Sequence, residues 1–386
     1  MTLSEILIHL GEDRDQYFNA VAPPIIQSSN FVFPNLQAFR ESFSDELNQH
    51  VYTRGNNPTV EILRKKLAAL EKTENALVFS SGAGAVAAAV IGNVSAGDHI
   101  ICQNAPYSWT TALLKKFLAR FGVDHTFVDG SDIQAIAAAI RPETKVLYLE
   151  SPNTLTYECQ DLAACAALAQ QHGIVTVIDN SYSSPLYQNP ATFGIDIVVH
   201  SGTKYLSGHS DVVVGVLCGS NAMIKKIFES ELMTLGGILS PHDAWLVIRG
   251  LRTLQLRVQR SGESAQYLIN KLDGHPKVEK IWYPFHHSFP QRELAMRQMS
   301  GCSGLFSVQF KTGDPAKMEA FIHRIKRFLM AVSWGGHESL LIPTIGFYNI
   351  PGRTDPPIPW TFCRFYIGLE EPEWLWEDLS NAMEVL

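Results

Sequence analysis

An amine and a carboxylate close two apolar runs in this chain, and together they could hold a flat cationic ring. Lys204 stands in His200-Ser201-Gly202-Thr203-Lys204-Tyr205, just after the apolar run that starts at Asp196, and Asp179 follows the run 174–178. A lysine so placed offers an amine for a Schiff base. An aspartate so placed offers an anion for a pyridinium nitrogen. These are the two demands of a pyridoxal phosphate (PLP) site. Alone, a lysine on a polar turn is a solvated surface charge; its neighbours weigh against that reading.

Ser81-Gly82-Ala83-Gly84 follows one strand-like run and opens a helix-like one. Glycine lets backbone approach an anion, and a helix N-terminus supplies free N–H groups and positive potential; a plain Gly-rich turn is the alternative. Tyr107 lies beyond another strand end, where its ring could stack on a flat cofactor and its hydroxyl relay protons, or where it is simply a half-buried tyrosine. Ser201 and Thr203 carry hydroxyls for phosphate oxygens, or for ordinary turn bonds. Tyr52 and Arg54 precede a helix start, and a guanidinium suits a phosphate dianion; surface solvation is the alternative. Arg364 sits among Phe362, Phe365 and Tyr366. An arginine in a buried pattern needs an anionic partner, either a substrate carboxylate or a structural acid.

Composition narrows the classes. The 386 residues are 46% hydrophobic and 18% charged with a net charge of -7, which describes a globular chain with no basic run for nucleic acid. The N-terminus lacks the pattern of a signal peptide, and the most apolar segment, 83–91, is too short to span a bilayer. Six scattered cysteines without a Cys-x-x-Cys read as buried, reduced thiols of a cytoplasmic protein. The pair His286-His287 could suggest a metal, but no carboxylate or cysteine recurs at ligand spacing. The pair therefore reads as a solvated loop, and no metal is expected.

The elements that must position these residues follow from periodicity. Asn57-Pro58 marks a helix start, with Val60, Leu63, Leu67 and Leu70 at helical spacing. Strands are expected at 76–79, 99–102, 145–149, 174–178, 197–199 and 212–217. Helices are expected at 84–92, 110–121 and 160–171. Apolar strands alternating with helices imply a mostly parallel sheet covered on both faces, with ligands beyond the strands' carboxyl ends. A long connecting helix opens within 245–256. A smaller α+β domain follows, with strands at 305–310 and 362–367 and helices at 316–325 and 372–385. The expected division is an arm (1–55), a large cofactor-binding domain (56–250) and a small C-terminal domain (251–386). The Pro-rich 350–359 segment is a loop, one reading of which is a cover for the site.

From about Tyr52 onward the chain resembles the Cys/Met-metabolism family of PLP-dependent enzymes. The likeness is carried by Tyr52-Thr-Arg54 with Asn57-Pro58-Thr59, Ser81-Gly82, Tyr107, Glu150-Ser-Pro152, Asp179-Asn180 and Ser201-Gly-Thr-Lys204-Tyr205. It continues through Gly208-His209-Ser-Asp211, Arg249-Gly-Leu-Arg252-Thr253-Leu254, Ser333–Ser339 and Arg364 with Ile367–Glu370. The resemblance implies PLP fold type I, the aspartate-aminotransferase-like α/β fold. It implies Lys204 as Schiff-base lysine, Asp179 as pyridinium partner and Tyr107 as stacking ring; the expected mechanism makes Lys204 the base at Cα and Lys204 or Tyr107 the acid for the leaving thiolate. Gly82, Ala83, Ser201 and Thr203 would hold the phosphate. Tyr52 and Arg54 would reach it from a neighbouring subunit, so a homo-oligomer is implied, a tetramer built as a dimer of dimers. Arg364 with Ser333, Trp334 and Tyr52 would bind a small amino-acid substrate.

Within the family, three features resemble the bacterial cystathionine β-lyase form. They are Trp334 in Ser333-Trp-Gly-Gly336, Val332 and Val51 where γ-acting members often carry an acid, and Glu150–Tyr157 without the usual Asn-Pro. The expected reaction is β-elimination of L-cystathionine or a related S-substituted cysteine to pyruvate, ammonia and a thiol. The alternatives are a γ-elimination or γ-replacement enzyme, and a non-catalytic PLP-binding partner of a regulator. Ala83-Gly84 after Ser-Gly, His337 and the 350–359 loop depart from the family pattern.

Overall fold

The computed structural model describes residues 1–352 and 354–386; Arg353, inside the Pro-rich 350–359 segment, lies outside the described residues. Contacts divide the chain into two units. One holds Met1–Ser151, Gln160–Ser207 and Asp211–Arg252; the other holds Pro152–Cys159, Gly208–Ser210 and Thr253–Leu386.

The first unit is built on a seven-stranded sheet. Its strands are β1 (Asn75–Phe79), β2 (His99–Gln103), β3 (Asp124–Val128), β4 (Thr144–Glu150), β5 (Val175–Asp179), β6 (Ile197–Ser201) and β7 (Gly215–Gly219), in the spatial order β1-β7-β6-β5-β4-β2-β3. The block from β3 to β6 is parallel, and β7 runs against both its neighbours, β6 and β1. The central strands are buried along nearly their whole length, exposed in part only at strand ends such as Ser201, as continuous apolar runs require when both faces are covered. One face packs Leu77, Val177, Val199 and Leu217 with Ala85, Ala88 and Ala89 of the Gly82–Ile91 helix. That helix is almost all Ala, Gly and Val, so it lies close on β6 and β7.

Helix ends follow local chemistry. Asn57 caps the Pro58–Glu71 helix through its Oδ1 and the Thr59 N–H, a bond worth about 1 kcal/mol. The stretch expected as one helix over 110–121 is instead an α-turn (Ser108–Ala112), a π-turn (Leu113–Phe117) and a 3₁₀ turn closed by Gly122 at φ 73°. The strand expected at 212–217 begins later, at Gly215. The edge strand β3 escaped prediction, because its Asp-His-Thr start is half solvated. The N-terminal region has two α-helices, Leu3–Ile8 and Leu36–Ser44. It is tied down by Lys66, whose Nζ donates to the Ile6 and Leu7 carbonyls and pairs with buried Glu12 at 3.1 Å. The expected connecting helix is two helices, Pro241–Leu251 and Leu254–Leu272, interrupted where Thr253 leaves helical geometry.

The second unit holds a five-stranded sheet. Its strands are β8 (Val278–Trp282), β9 (Leu305–Phe310), β10 (Leu329–Met330), β11 (Leu340–Pro343) and β12 (Phe362–Tyr366), ordered β10-β11-β12-β9-β8. Phe306, Phe310, Phe321, Phe328 and Phe365 form its aromatic core. Helices Pro315–Arg324 and Pro372–Met383 match the expected pair within two residues at each end. In the Pro-rich loop, Tyr348 donates its hydroxyl to the Ile358 carbonyl at 2.7 Å.

Candidate active site

Strands β1, β2, β4, β5 and β6 all run the same way, so Phe79, Gln103, Glu150, Asp179 and Ser201 finish on one edge of the sheet. The candidate residues of the first unit follow these ends. Asp179 is half-buried, and its Oδ1 accepts from the Ser181 N–H at 2.9 Å and the Ser181 hydroxyl at 2.5 Å. The same hydroxyl accepts from the Ser201 N–H at 2.7 Å, so Ser181 ties β5 to β6. Asp179 Oδ2 takes no hydrogen bond among the described residues.

The Gly82–Ile91 helix entrance lies beside Ser201. Ser81 caps the Gly82–Ile91 helix by accepting from the Gly84 N–H at 3.0 Å, and its carbonyl takes the Ala85 N–H. The Gly82 and Ala83 N–H groups are left for another acceptor. Gly82 is required here, since a Cβ would stand 2.9 Å from Ser201 Cα. Gly215 is required too: it pairs with Phe79 and Ser201 on its two sides, and a Cβ would lie 2.0 Å from the Ser81 carbonyl oxygen. The late start of β7 is thus set by how closely the helix entrance crosses it.

Tyr107 is partly exposed, and its backbone N–H donates to the Glu150 carboxylate at 2.7 Å. Burial raises the Tyr107 phenol above its usual range, and the negative charges of Asp179 and Glu150 add to this. Lys204 is half-buried in the turn after β6, where its N–H donates to the Ser201 carbonyl at 3.1 Å. Thr203 is engaged locally: its hydroxyl accepts from the Val214 N–H at 3.0 Å and meets the Val214 carbonyl at 3.3 Å. Tyr52 and Arg54 are not among the residues gathered around Asp179. Both are exposed, with the guanidinium 5.6 Å from the Tyr52 ring centre.

Behind this edge lies a buried polar group. Glu71 Oε1 meets His200 Nε2 and takes the Asn180 side-chain N–H, and Asn180 and Gln188 bond to each other. It fixes the chain just after Asp179 and just before Ser201.

In the second unit, Arg364 lies centrally in β12, between Ile342 of β11 and Ser307 of β9. Its nearly buried guanidinium donates to Thr154 Oγ1 and to the Ser333 carbonyl, each at 2.9 Å. Ser333 holds φ at 80°, a conformation costing about 1–3 kcal/mol outside glycine. Trp334 beside it is buried, whereas Val332 is 74% exposed. Sequence reading passed over Glu150, Ser181 and Thr154 as functional side chains. The spacing of Ser181 two residues after Asp179 was a usable signal, because aspartate often accepts from that N–H. The other two touch their partners only through the fold. A further correction concerns His286-His287. The pair reads in sequence as a solvated loop with no carboxylate at ligand spacing, but His286 is buried and Asp273, 14 residues before His287, comes within 2.9 Å of His287.

These residues suit PLP. Two unshared amides at a helix entrance and the nearby Ser201 fit a phosphate dianion, and the unbonded Asp179 oxygen fits a protonated ring nitrogen. Residues 4–384 match the Cys/Met metabolism PLP-dependent enzymes. The chain belongs to that family. It is 39% identical over 98% of its length to an L-methionine gamma-lyase of Pseudomonas deceptionensis, covering 96% of that protein. It is 36% identical to the cystathionine gamma-lyase of Homo sapiens, over 98% of this chain and 92% of that one. The crystal structure of metB from Corynebacterium glutamicum superposes with a TM-score of 0.91 at 32% identity, covering 99% of this chain and 98% of that chain. The chain is therefore a PLP-dependent carbon–sulfur lyase of this family, with its α/β fold. All six cysteines are buried and none is in a disulfide, as expected. Among the described residues, no helix is long and apolar enough to cross a membrane.

Proposed function

We propose that the chain catalyses γ-elimination on a sulfur amino acid such as L-methionine or L-cystathionine, releasing a thiol, 2-oxobutanoate and ammonia. The observation that carries this reading is the shared sheet edge, where the Asp179 carboxylate, the Gly82 and Ala83 amides and the Lys204 turn meet. The choice of the γ bond follows the names of the relatives.

Bound PLP supplies an electron sink for negative charge at the substrate Cα. Lys204 would hold the cofactor through its amine; freed, it would take the Cα proton, give that proton up again, and, for a γ bond, only then take one from Cβ. Asp179, its Oδ1 fixed by Ser181, would hold the protonated ring nitrogen. The Gly82 and Ala83 amides with Ser201 take the phosphate; Thr203 braces the turn through Val214. Tyr107 keeps its phenolic proton near neutral pH and hands it to the leaving thiolate. Arg364, steadied by the Ser333 carbonyl, takes the substrate carboxylate, and Trp334 walls that site. Tyr52 and Arg54 complete the phosphate site of a neighbouring subunit, in a tetramer of paired dimers. The large cofactor-binding domain spans 56–250 and the small domain 251–386.

β-Elimination is the second reading, favoured by buried Trp334 following Ser333, with apolar Val332 before it. The keto acid separates the two. PLP-loaded protein is given L-methionine and L-cystathionine in turn. Release of 2-oxobutanoate from both supports γ-elimination. Pyruvate from L-cystathionine, with no product from L-methionine, makes it a β-lyase. No keto acid from either overturns both.

A further inference from the structure

Three side chains of the second unit to which the lyase reading gives no role converge. The Leu254–Leu272 helix ends at its C-cap Asp273, and the turn after β8 carries His286 and His287. His287 Nε2 lies 2.9 Å from Asp273 Oδ2, and His286 Nε2 lies 3.5 Å from Asp273 Oδ1. One ligand atom from each residue falls within 4.8 Å of the others. Ligands bound at the usual zinc distances stand roughly 3.3–3.5 Å from one another around a tetrahedral ion, so small rotamer adjustments bring the set to bonding geometry.

A second observation points to a ligand. His286 is only 6% exposed, and its buried Nε2 makes no well-formed hydrogen bond, facing only the Asp273 carboxylate at 3.5 Å. Its other nitrogen, Nδ1, is 2.8 Å from the Ser288 hydroxyl. A buried ring nitrogen without a hydrogen-bond partner needs a reason. Nδ1 also faces the Ser288 N–H at 3.4 Å, so for Nε2 to ligate the ring adopts the tautomer that donates from Nδ1 to the Ser288 hydroxyl. The two rings lie 4.2 Å apart with both Nε2 atoms near the same carboxylate.

We propose that Asp273, His286 and His287 bind one divalent cation of the zinc class, through both Nε2 atoms and the carboxylate, with water completing the shell. Imidazole and carboxylate donors suit Zn²⁺, Ni²⁺ or Co²⁺ better than Mg²⁺, which prefers an all-oxygen octahedron. Asp273 and His287 are partly exposed, which gives the ion a route in. The ion clasps the end of a long helix to the turn after β8, a role independent of the lyase chemistry.

The test uses full-length, PLP-loaded protein stripped of metal by a chelator and titrated with Zn²⁺ alone in a calorimeter. The expected result is uptake of one Zn²⁺ per chain, a raised melting temperature, and no uptake of Mg²⁺. His287→Ala and Asp273→Asn should each weaken uptake at least about tenfold, with cofactor absorbance and lyase turnover unchanged. His286→Gln should do the same where it folds, and the two exposed variants decide the matter where it does not. No saturable Zn²⁺ uptake, or uptake that His287→Ala and Asp273→Asn leave unaltered, overturns the proposal.

Discussion

Glu150 and Asp179 stand opposite each other in register at the carboxyl ends of two adjacent parallel strands. Each is held by different donors: Glu150 by the Tyr107 backbone, Asp179 by Ser181. Two neighbouring carboxylates are thus kept in place with one oxygen of Asp179 still open, and their joint charge bears on the Tyr107 phenol.

Replacing the phenol tests its proton role. Burial and the two carboxylates hold the Tyr107 hydroxyl above its ordinary value of about 10, so it stays protonated at working pH. Tyr107→Phe should lower kcat about 100-fold or more while cofactor absorbance persists. Any alkaline limb belonging to this group lies above pH ~10 and disappears in the variant. Glu150→Gln should lower kcat less and leave that limb present. A pH–rate series on the three proteins checks both.

Complementation tests the shared site. Arg54 and Tyr52 lie exposed and side by side in one chain, while Lys204 follows β6. Arg54→Ala and Lys204→Ala proteins should each lose at least about 100-fold in turnover. Unfolded and refolded together, they should regain a measurable fraction, because some mixed dimers carry one intact site. No recovery on mixing would place Arg54 in its own chain's site.

Gly82→Ala should be costly. The added Cβ would sit 2.9 Å from the Ser201 Cα, where backbone rather than a flexible side chain must yield. A loss of about 1–3 kcal/mol in stability is expected, together with weaker cofactor retention. Denaturant melts and cofactor absorbance after dialysis read the two effects.

Acid stability has a local origin at Glu61. Burial alone would raise its carboxyl, but hydrogen bonds from His50 at 2.7 Å and from Lys65 outweigh this and hold it at about 2. A depressed carboxyl contributes stability that is full above its unfolded value of about 4.3 and is lost as pH falls through about 2. Glu61→Gln should therefore be less stable at pH 6, by about 1–2 kcal/mol after allowing for solvent screening. It should match the parent at the acid end. Chemical denaturation across this range checks it.

Much of the site could be read from residue order. Lys204, Asp179 and Ser81-Gly82 follow apolar runs, and in a parallel sheet that places them on one edge. The partners Glu150 and Thr154 could not be read, because strand register and loop closure bring them in rather than spacing. Asp273 was missed for the same reason: a helix end and a distant turn meet only after folding. The break at Thr253 and the π-turn at Leu113–Phe117 leave no trace in periodicity, since hydrophobic spacing is nearly the same on either side of a local change in winding.

The antiparallel strand β7 also bears on synthesis. Among the described strands, β1 has β7 as its sole neighbour, with Asn75 opposite Gly219. During translation β1 emerges early and waits for nearly the whole of the sheet before its partner leaves the ribosome. The Gly82 turn after β1 packs directly on Ser201, with Ser81 against Gly215, so the lysine-bearing turn is made before that helix entrance is closed in by β7. Such long-range pairing slows folding and leaves an apolar edge uncovered. A nascent chain arrested before Gly215 should hold Lys204 yet retain no cofactor.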